Sequence, residues 1–563
     1  MASTMPAAPT AKGEAIFLLR FPRLVLALVC LLLWLPGLLS LLPLDRDESR
    51  FAQASRQMLE RNDFIDIRFG DEARYKKPAG IYWLQAATTE IAGFGQRDRI
   101  WTYRLASLLG GIAASWLTWS IARGMVPERV ALASATLFSA TLLLSAEAMI
   151  ATTDAVLLAC VLATQGALLR LYAGAREGAP PVPLTAVLLG WVGLGFGILV
   201  KGPVAPAISL ATILALVVWD RNVRWLSGIH LVRGLLIVAL IVAPWAITIA
   251  YRSHNQFYAQ ALGTDFAAKL AGGQETHGAP PGYYLALVTL TLWPATLYVL
   301  PGLRAALARR QEAHTRFLLA WAGSAWLMFE AVPTKLPHYI LPAYPALIAL
   351  AALWMARGKR VDNNPGWRWA SLIQYLLGLA ALVGGVAVAA GHFGAGPEPL
   401  FLVMIGAVVL SGCGAAILFL RHYELAACVA ATVAAGLLYS AITVVEAPRL
   451  QTLWVSNRLA AAIRRAERAG DPPPALAGFD EPSLLFELGT ETKLTDGRGA
   501  ALALAQRGGI AGIEDRERPT FLRALSDDQA LAIQVDEVGG LNYSRGQIVH
   551  VGIYRVMPAS RPR

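Results

Sequence analysis

The sequence predicts a mainly α-helical, polytopic membrane protein followed by a small α/β unit outside the membrane. Three observations carry that expectation. Hydrophobic residues make up 56% of the 563 and charged residues only 15%, whereas soluble domains carry about 25% charged residues. Apolar stretches near the roughly 20 residues needed to cross a hydrocarbon core recur from Phe21 to about Ser440. From about Val444 onward the composition is that of a soluble chain.

Taken in order, the sequence offers about thirteen apolar stretches, at 21–44, 101–121, 129–150, 154–172, 184–201, 204–219, 235–251, 283–300, 317–332, 339–355, 371–390, 400–420 and 425–443. The first is too long for the core of a cleavable signal peptide and no small-residue cleavage pattern follows it, so it is expected to remain as an anchor. Arg-rich loops at 123–129, 170–176, 221–233, 304–316 and 357–368 alternate with loops near Ala151, Lys201, Lys335 and Gly394 that carry at most one positive charge each. The positive-inside rule then puts the N-terminus in the cytoplasm and the C-terminal unit outside. Most of the net charge of +11 lies in these loops, where it sets topology, so no nucleic-acid partner is expected. Cys30, Cys160, Cys413 and Cys428 all fall within apolar stretches and read as small apolar side chains, not disulfide or metal ligands.

Two polar segments interrupt the pattern on the outer side. Within 45–99, "ESRFAQASRQMLERNDF" puts Phe51, Ala54, Met58 and Leu59 on one face, which predicts an amphipathic helix at the interface. In 444–563, "LWVSNRLAAAIRRAER" reads as helix, "ALAGFD" and "GQIVHVGIYRVM" as strands, and "DPPP" as a break between them. The chain thus divides into a membrane part, 1–443, and a soluble part, 444–563. Residues 252–284 are polar and hold Gly263, Gly272 and Gly273, as expected of a mobile loop that closes over a bound donor. In "WVGLGFGILVKGP" the glycines have no dinucleotide-binding context and predict close helix packing. No internal repeat, Walker, zinc-protease or nucleophile-elbow pattern is present.

A charge at membrane depth costs on the order of 3 kcal/mol, so each one needs a reason. With this topology the outer ends of the spans bear Asp45, Asp47 and Glu48, Lys76 and Lys77, Glu147 and Asp154, Lys201, and Lys335 with His338. Each has a plain structural account as well. Asp154 is placed to cap its helix, and Lys201 sits where a helix C-terminus favours a cation. Lys335 and His338 suit an interfacial anchor, and Lys76 and Lys77 a solvated loop. Their convergence on one membrane face is better explained by a site. Lysines neutralise a departing phosphate, and a carboxylate holds a cationic group, stabilises an oxocarbenium-like centre or accepts a proton. His254, His277 and His338 lie on the same side, which leaves a divalent ion such as zinc open beside simple hydrogen bonding.

The motifs "RDESRFA", "YKKPAGIYWLQ", "ATTDAVLL", "LVKGPVAP" and "TKLPHYILPAYPAL" occur in this order in the outer loops. With them the sequence resembles the lipid-linked-sugar glycosyltransferases of the GT-C class, and most of all the bacterial 4-amino-4-deoxy-L-arabinose transferases that decorate lipid A. Protein O-mannosyltransferases are more distant relatives. The resemblance implies inverting transfer from undecaprenyl phosphate to a lipid A phosphate on the periplasmic face of the inner membrane, a modification that gives resistance to polymyxin and other cationic peptides. It implies Asp47 as the leading acid with Glu48 beside it, Asp154 as a second acid, and Lys77 holding the prenyl phosphate with Lys76, Lys201 and Lys335. The family pattern has an acid directly before the Lys-Pro dipeptide, where this chain has Lys76. A protein hydroxyl acceptor is the alternative within the class. Outside it, a transporter would place charges at the midplane on repeated, interrupted helices, and an assembly factor would leave the intramembrane acids unexplained.

Overall fold

The computed structural model describes residues 20–261, 263, 278–357 and 364–558. Within lipid each backbone group must be satisfied inside its own segment, so apolar stretches become helices. In chain order these are α1 (Pro22–Ser40), α2 (Asp47–Arg61), α3 (Gly80–Ala92), α4 (Ile100–Ala122), α5 (Glu128–Ser139), α6 (Leu142–Met149), α7 (Asp154–Glu177), α8 (Leu184–Lys201), α9 (Val204–Asp220) and α10 (Leu231–Arg252). There follow α11 (Tyr283–Thr291), α12 (Thr296–Ala308), α13 (Ala313–Ala331), α14 (Tyr344–Arg357), α15 (Pro365–Phe393), α16 (Pro399–Leu420) and α17 (Glu424–Ser440). Among the described residues, 9 helices are long and apolar enough to cross a membrane, or 10 if α5 and α6, bent by 63° at their junction, form one span. Two shorter apolar helices, α9 and α12, accompany them.

The helices pack by matching small residues to close neighbours. A Cβ placed on Gly193 of α8 meets Ala163 Cβ at 2.8 Å and Cys160 O at 2.9 Å, so a glycine is what lets α8 lie against α7. Gly80 does the same for α3, where a Cβ meets the Leu199 carbonyl group at 2.8 Å. That contact brings the "YKKPAG" turn against the end of α8. At the opposite ends of these helices Asp220 accepts from Tyr172 Oη at 2.5 Å, from Arg176 Nη1 at 2.8 Å and from Arg316, which joins the Arg-rich ends of α7, α9 and α13.

The remaining chain forms α18 (Val455–Ala466), α19 (Pro482–Leu488), α20 (Gly497–Leu504) and α21 (Arg518–Asp527) around a sheet. A small hairpin, β1 (Arg68–Phe69) with β2 (Glu72–Ala73), precedes it in the chain. The sheet strands are β3 (Ala475–Ala477), β4 (Lys493–Thr495), β5 (Gly509–Glu514), β6 (Leu531–Asn542) and β7 (Gln547–Met557), in the order β4-β3-β5-β7-β6. β3 runs parallel to β4 and β5, and β7 antiparallel to β5 and β6. Successive strand side chains alternate between faces. Leu476 and Ile510 accordingly join the cluster under α18, and Ala475, Ala477 and Ala511 join Leu504 and Phe521 on the other face.

Helix α2 departs from its expected place at a lipid interface. It lies between α3 and α19, with Ala52, Gln53, Ser55 and Gln57 buried as well as Phe51, Ala54 and Met58. Several of its polar groups have protein partners: Gln53 Nε2 donates to Thr490 Oγ1 at 2.7 Å, Ser55 to Gln85 Oε1 at 2.8 Å, and Arg56 Nη1 to Phe486 O at 2.9 Å. The apolar face was legible, and the burial of the polar flanks required the sheet unit.

The turn from α1 into α2 is held by Glu48, which is only 2% exposed. Its carboxylate takes Arg104 Nε at 2.7 Å and Nη2 at 2.9 Å, and accepts the Leu44 and Ala151 amides at 3.0 and 2.8 Å. Arg104 spends its remaining donors on the carbonyls of Leu38, Leu41 and Leu42. Removing one partner of such a pair strands the other charge. Arg104→Ala is therefore expected to lower stability by about 3–5 kcal/mol, read as a large drop in the thermal unfolding midpoint in detergent.

Candidate active site

The acids and bases of the sequence converge at the end of the bundle that faces the sheet. Asp154 opens α7, and its side chain does not cap that helix; it reaches Lys201, the last residue of α8, with Oδ1 to Nζ at 2.6 Å. Thr153 Oγ1 donates to its other oxygen at 3.0 Å. His338 stands between two carboxylates, Nε2 to Asp154 Oδ2 at 3.9 Å and Nδ1 to Glu147 Oε1 at 3.7 Å. Glu147 in turn accepts from Thr152 Oγ1 at 2.6 Å. The Lys201 ammonium also sits 5.3 Å from the centre of the Tyr339 ring, a cation–π distance.

Beside this network opens a cavity of about 450 Å³ with both charged and apolar lining. Lys76, Lys77, Asp154 and Lys201 supply its charged lining, and Val242, Trp245, Phe257, Tyr258, Phe329 and Val332 apolar wall. Trp245 packs edge-on against Phe257 at 5.0 Å between ring centres. Arg252, the last residue of the same helix, is pinned to Asp63 by two bonds of 2.8 and 2.7 Å. Burial pushes the Asp63 carboxyl up, but these bonds and two backbone amides outweigh it and hold it below its ordinary value.

The other expected site residues are placed differently. Asp47 opens α2 with a side chain 61% exposed, near enough for its charge to act on Glu147 and His338. Glu48, expected beside it at the reaction centre, is turned into the protein and engaged by Arg104. Lys335 is buried, and its ammonium donates to Val332 O at 2.7 Å. His254 is exposed in the turn after α10. His277 lies outside the described residues, as do 262 and 264–276 of the loop at 252–284. Among the described residues no group of three or more His, Cys, Asp and Glu is arranged to hold a metal. Arg104 and the aromatic wall were missed by the sequence reading, although a lone arginine inside an apolar stretch is itself a signal.

Asp45, two residues before Asp47, is buried against the sheet unit. It accepts from Ser456 Oγ at 2.8 Å and from Ser483, and its amide donates to Tyr543 Oη at 2.7 Å. Burial pushes its carboxyl up to about 6; the serine bonds pull it down less, and the Glu481 charge adds to the rise.

Residues 76–247 match the dolichyl-phosphate-mannose-protein mannosyltransferase family. The chain is 28% identical over 358 residues to an undecaprenyl phosphate-α-4-amino-4-deoxy-L-arabinose arabinosyl transferase of Pseudomonas aeruginosa, covering 62% of this chain and 63% of that protein. It is 26% identical over 383 residues to the protein of that name from Aeromonas salmonicida, covering 66% and 68%. The match thus spans under two thirds of the first relative's length. Among solved structures, ArnT from Cupriavidus metallidurans bound to undecaprenyl phosphate superposes with a TM-score of 0.73 at 19% identity, over 96% of this chain and 98% of that one. The oligosaccharyltransferase AglB from Archaeoglobus fulgidus gives 0.52 at 11% identity, over 85% and 64%. These two likenesses establish the fold.

The raised Asp45 carboxyl has a consequence for stability. Unfolded, it loses its proton near 3.8; folded, near 6. Between these values the folded state binds more protons, so this group makes stability fall as pH rises through that window. Asp45→Asn is expected to flatten that part of the pH profile of the unfolding midpoint.

Proposed function

We infer from its place among the GT-C glycosyltransferases that this polytopic membrane protein moves 4-amino-4-deoxy-L-arabinose from undecaprenyl phosphate to a phosphate of lipid A. The observation that carries the reading is the single cavity in which three lysines and Asp154 meet an apolar wall. Such a cavity suits a donor with an anionic head and a lipid tail, and the curated relatives act on that donor by name.

The chemistry follows from the charges. The acceptor phosphate is already ionised near neutral pH, since its second pKa is about 6. It needs no general base to attack the anomeric carbon. The bond that breaks leaves undecaprenyl phosphate, whose charge Lys77, Lys76 and Lys201 neutralise. Asp47 orients the donor or its amino group, and Asp154 holds Lys201 in place through the 2.6 Å contact. Glu48 acts through position, by fixing the turn that carries Asp47. Displacement with inversion accords with the family resemblance.

Counting α5 with α6, α9, α11 with α12, and α13 as crossings adds four spans to the nine, which gives the thirteen expected. An odd number, with the Arg-rich ends in the cytoplasm, puts the site and the sheet unit in the periplasm. The soluble part then begins after α17, which runs on through a π turn (Ala441–Glu446) and a 3₁₀ turn (Ala447–Arg449).

Two variants test the roles. Asp47→Asn is expected to abolish sugar transfer while leaving the unfolding midpoint and undecaprenyl phosphate binding intact; retained transfer removes Asp47 from the reaction. Lys77→Ala is expected to weaken undecaprenyl phosphate binding about tenfold or more, about 1.4 kcal/mol, and unchanged affinity contradicts the role. Mass spectrometry of lipid A from cells with and without the protein reads the reaction itself. An added aminopentose is the expected result, and unmodified lipid A with glycosylated protein points to a hydroxyl acceptor instead.

A further inference from the structure

We propose that the C-terminal sheet unit belongs to the positioning apparatus of this reaction: the hydroxyls of Ser456, Ser483 and Tyr543 clamp Asp45 and so hold Asp47 in its working orientation. The inference rests on Asp47 being the acid that orients the donor. Asp47 lies in a turn fixed on both sides. After it, Glu48 is locked to Arg104 and to the amides of Leu44 and Ala151. Before it, Asp45 is bonded to three separate elements of the sheet unit: its carboxylate accepts from Ser456 of α18 and Ser483 of α19, and its amide donates to Tyr543 in the β6–β7 turn.

Between these two anchors Arg46 has φ +63° and ψ −111°, a conformation that L residues rarely adopt. Such backbone costs on the order of 1–3 kcal/mol and persists only where its surroundings over-determine it. Here the surroundings are the clamp on Asp45 and the ion pair of Glu48. Glu481, whose like charge acts on Asp45, is already engaged: it accepts from Asn542 Nδ2 at 2.8 Å and from Ser544, with Arg545 Nε 3.7 Å away.

Docking of the sheet unit does not depend on Asp45. Gln53 to Thr490 at 2.7 Å, Thr490 to Glu60 at 2.6 Å and Arg56 to the Phe486 carbonyl at 2.9 Å tie the unit to α2 independently. The clamp is therefore separable from attachment, and its geometry bears on the position of one carboxylate.

The test uses the full chain with two serines changed together, Ser456→Ala and Ser483→Ala. Undecaprenyl phosphate binding is expected to stay near that of the parent and the chain to remain folded with a lowered unfolding midpoint, because the buried Asp45 carboxyl loses two donors, while kcat for release of undecaprenyl phosphate from the aminoarabinose donor falls on the order of tenfold to a hundredfold. Asp45→Asn keeps the accepting Oδ1 and is expected to retain most of kcat, whereas Asp45→Ala loses it. A folded double variant with parental kcat overturns the proposal. Should the double variant fail to fold, Tyr543→Phe decides, since it spares both serines: reduced kcat with unchanged binding supports the clamp, and parental kcat overturns it. A parent chain that transfers no sugar sinks the functional reading and this inference together, while an active parent with an equally active variant sinks only the clamp.

Discussion

The buried ion pair between Glu48 and Arg104 is the constraint on which the geometry of the site depends. It joins the end of α1, the start of α2, the beginning of α4 and the α6–α7 connection at one point. Both charges are withdrawn from water, and in a low dielectric that is tolerable only when every donor and acceptor is used. Here Arg104 gives bonds to the carboxylate and to three carbonyls, while Glu48 takes two backbone amides as well. An arrangement with so many satisfied directions has little freedom to slide. Asp47, one residue away, inherits that fixity although its own side chain is exposed.

The second constraint is that one cavity combines charged and apolar lining. Asp154 offsets Lys201 directly, so the cluster is not left as bare positive charge in a place where solvation is poor. Lys76 and Lys77 complete the charged lining from the turn that Gly80 allows against α8. The aromatic and aliphatic wall beside them comes from α10 and the turn after it, with Phe329 and Val332 from the end of α13. A lipid-borne anion needs both halves within one void.

Much of this was legible in the sequence because it rests on local physics. The apolar stretches are helical since length and hydropathy decide that without reference to neighbours. The helix at "LWVSNRLAAAIRRAER" and the strands at "ALAGFD" and "GQIVHVGIYRVM" follow from period and turn chemistry, and they appear as α18, β3 and β7. The partition of the charges was not legible. Asp47 and Glu48 are adjacent and chemically alike, yet one faces out and the other is buried, because successive helical positions point about 100° apart. Which side held Arg104 is a property of the packing. Asp154 looked equally suited to capping a helix and to a site, and only the proximity of Lys201, 47 residues away, decided between them.

By itself, then, the sequence determined a multi-helix membrane protein with a soluble α/β segment and a set of acids and lysines gathered toward one membrane face. Hydropathy, charge bias and local periodicity act over a few turns of chain, and those reach as far as the helices and their ends. Tertiary structure alone decided that α2 is sandwiched beneath the sheet unit, that Glu48 is a brace, that Lys335 turns to a backbone carbonyl, and that Asp45 is gripped by residues 411 to 498 positions away. Such choices depend on which donor meets which acceptor once the chain is folded, and contacts of that kind leave no periodic trace in the order of residues.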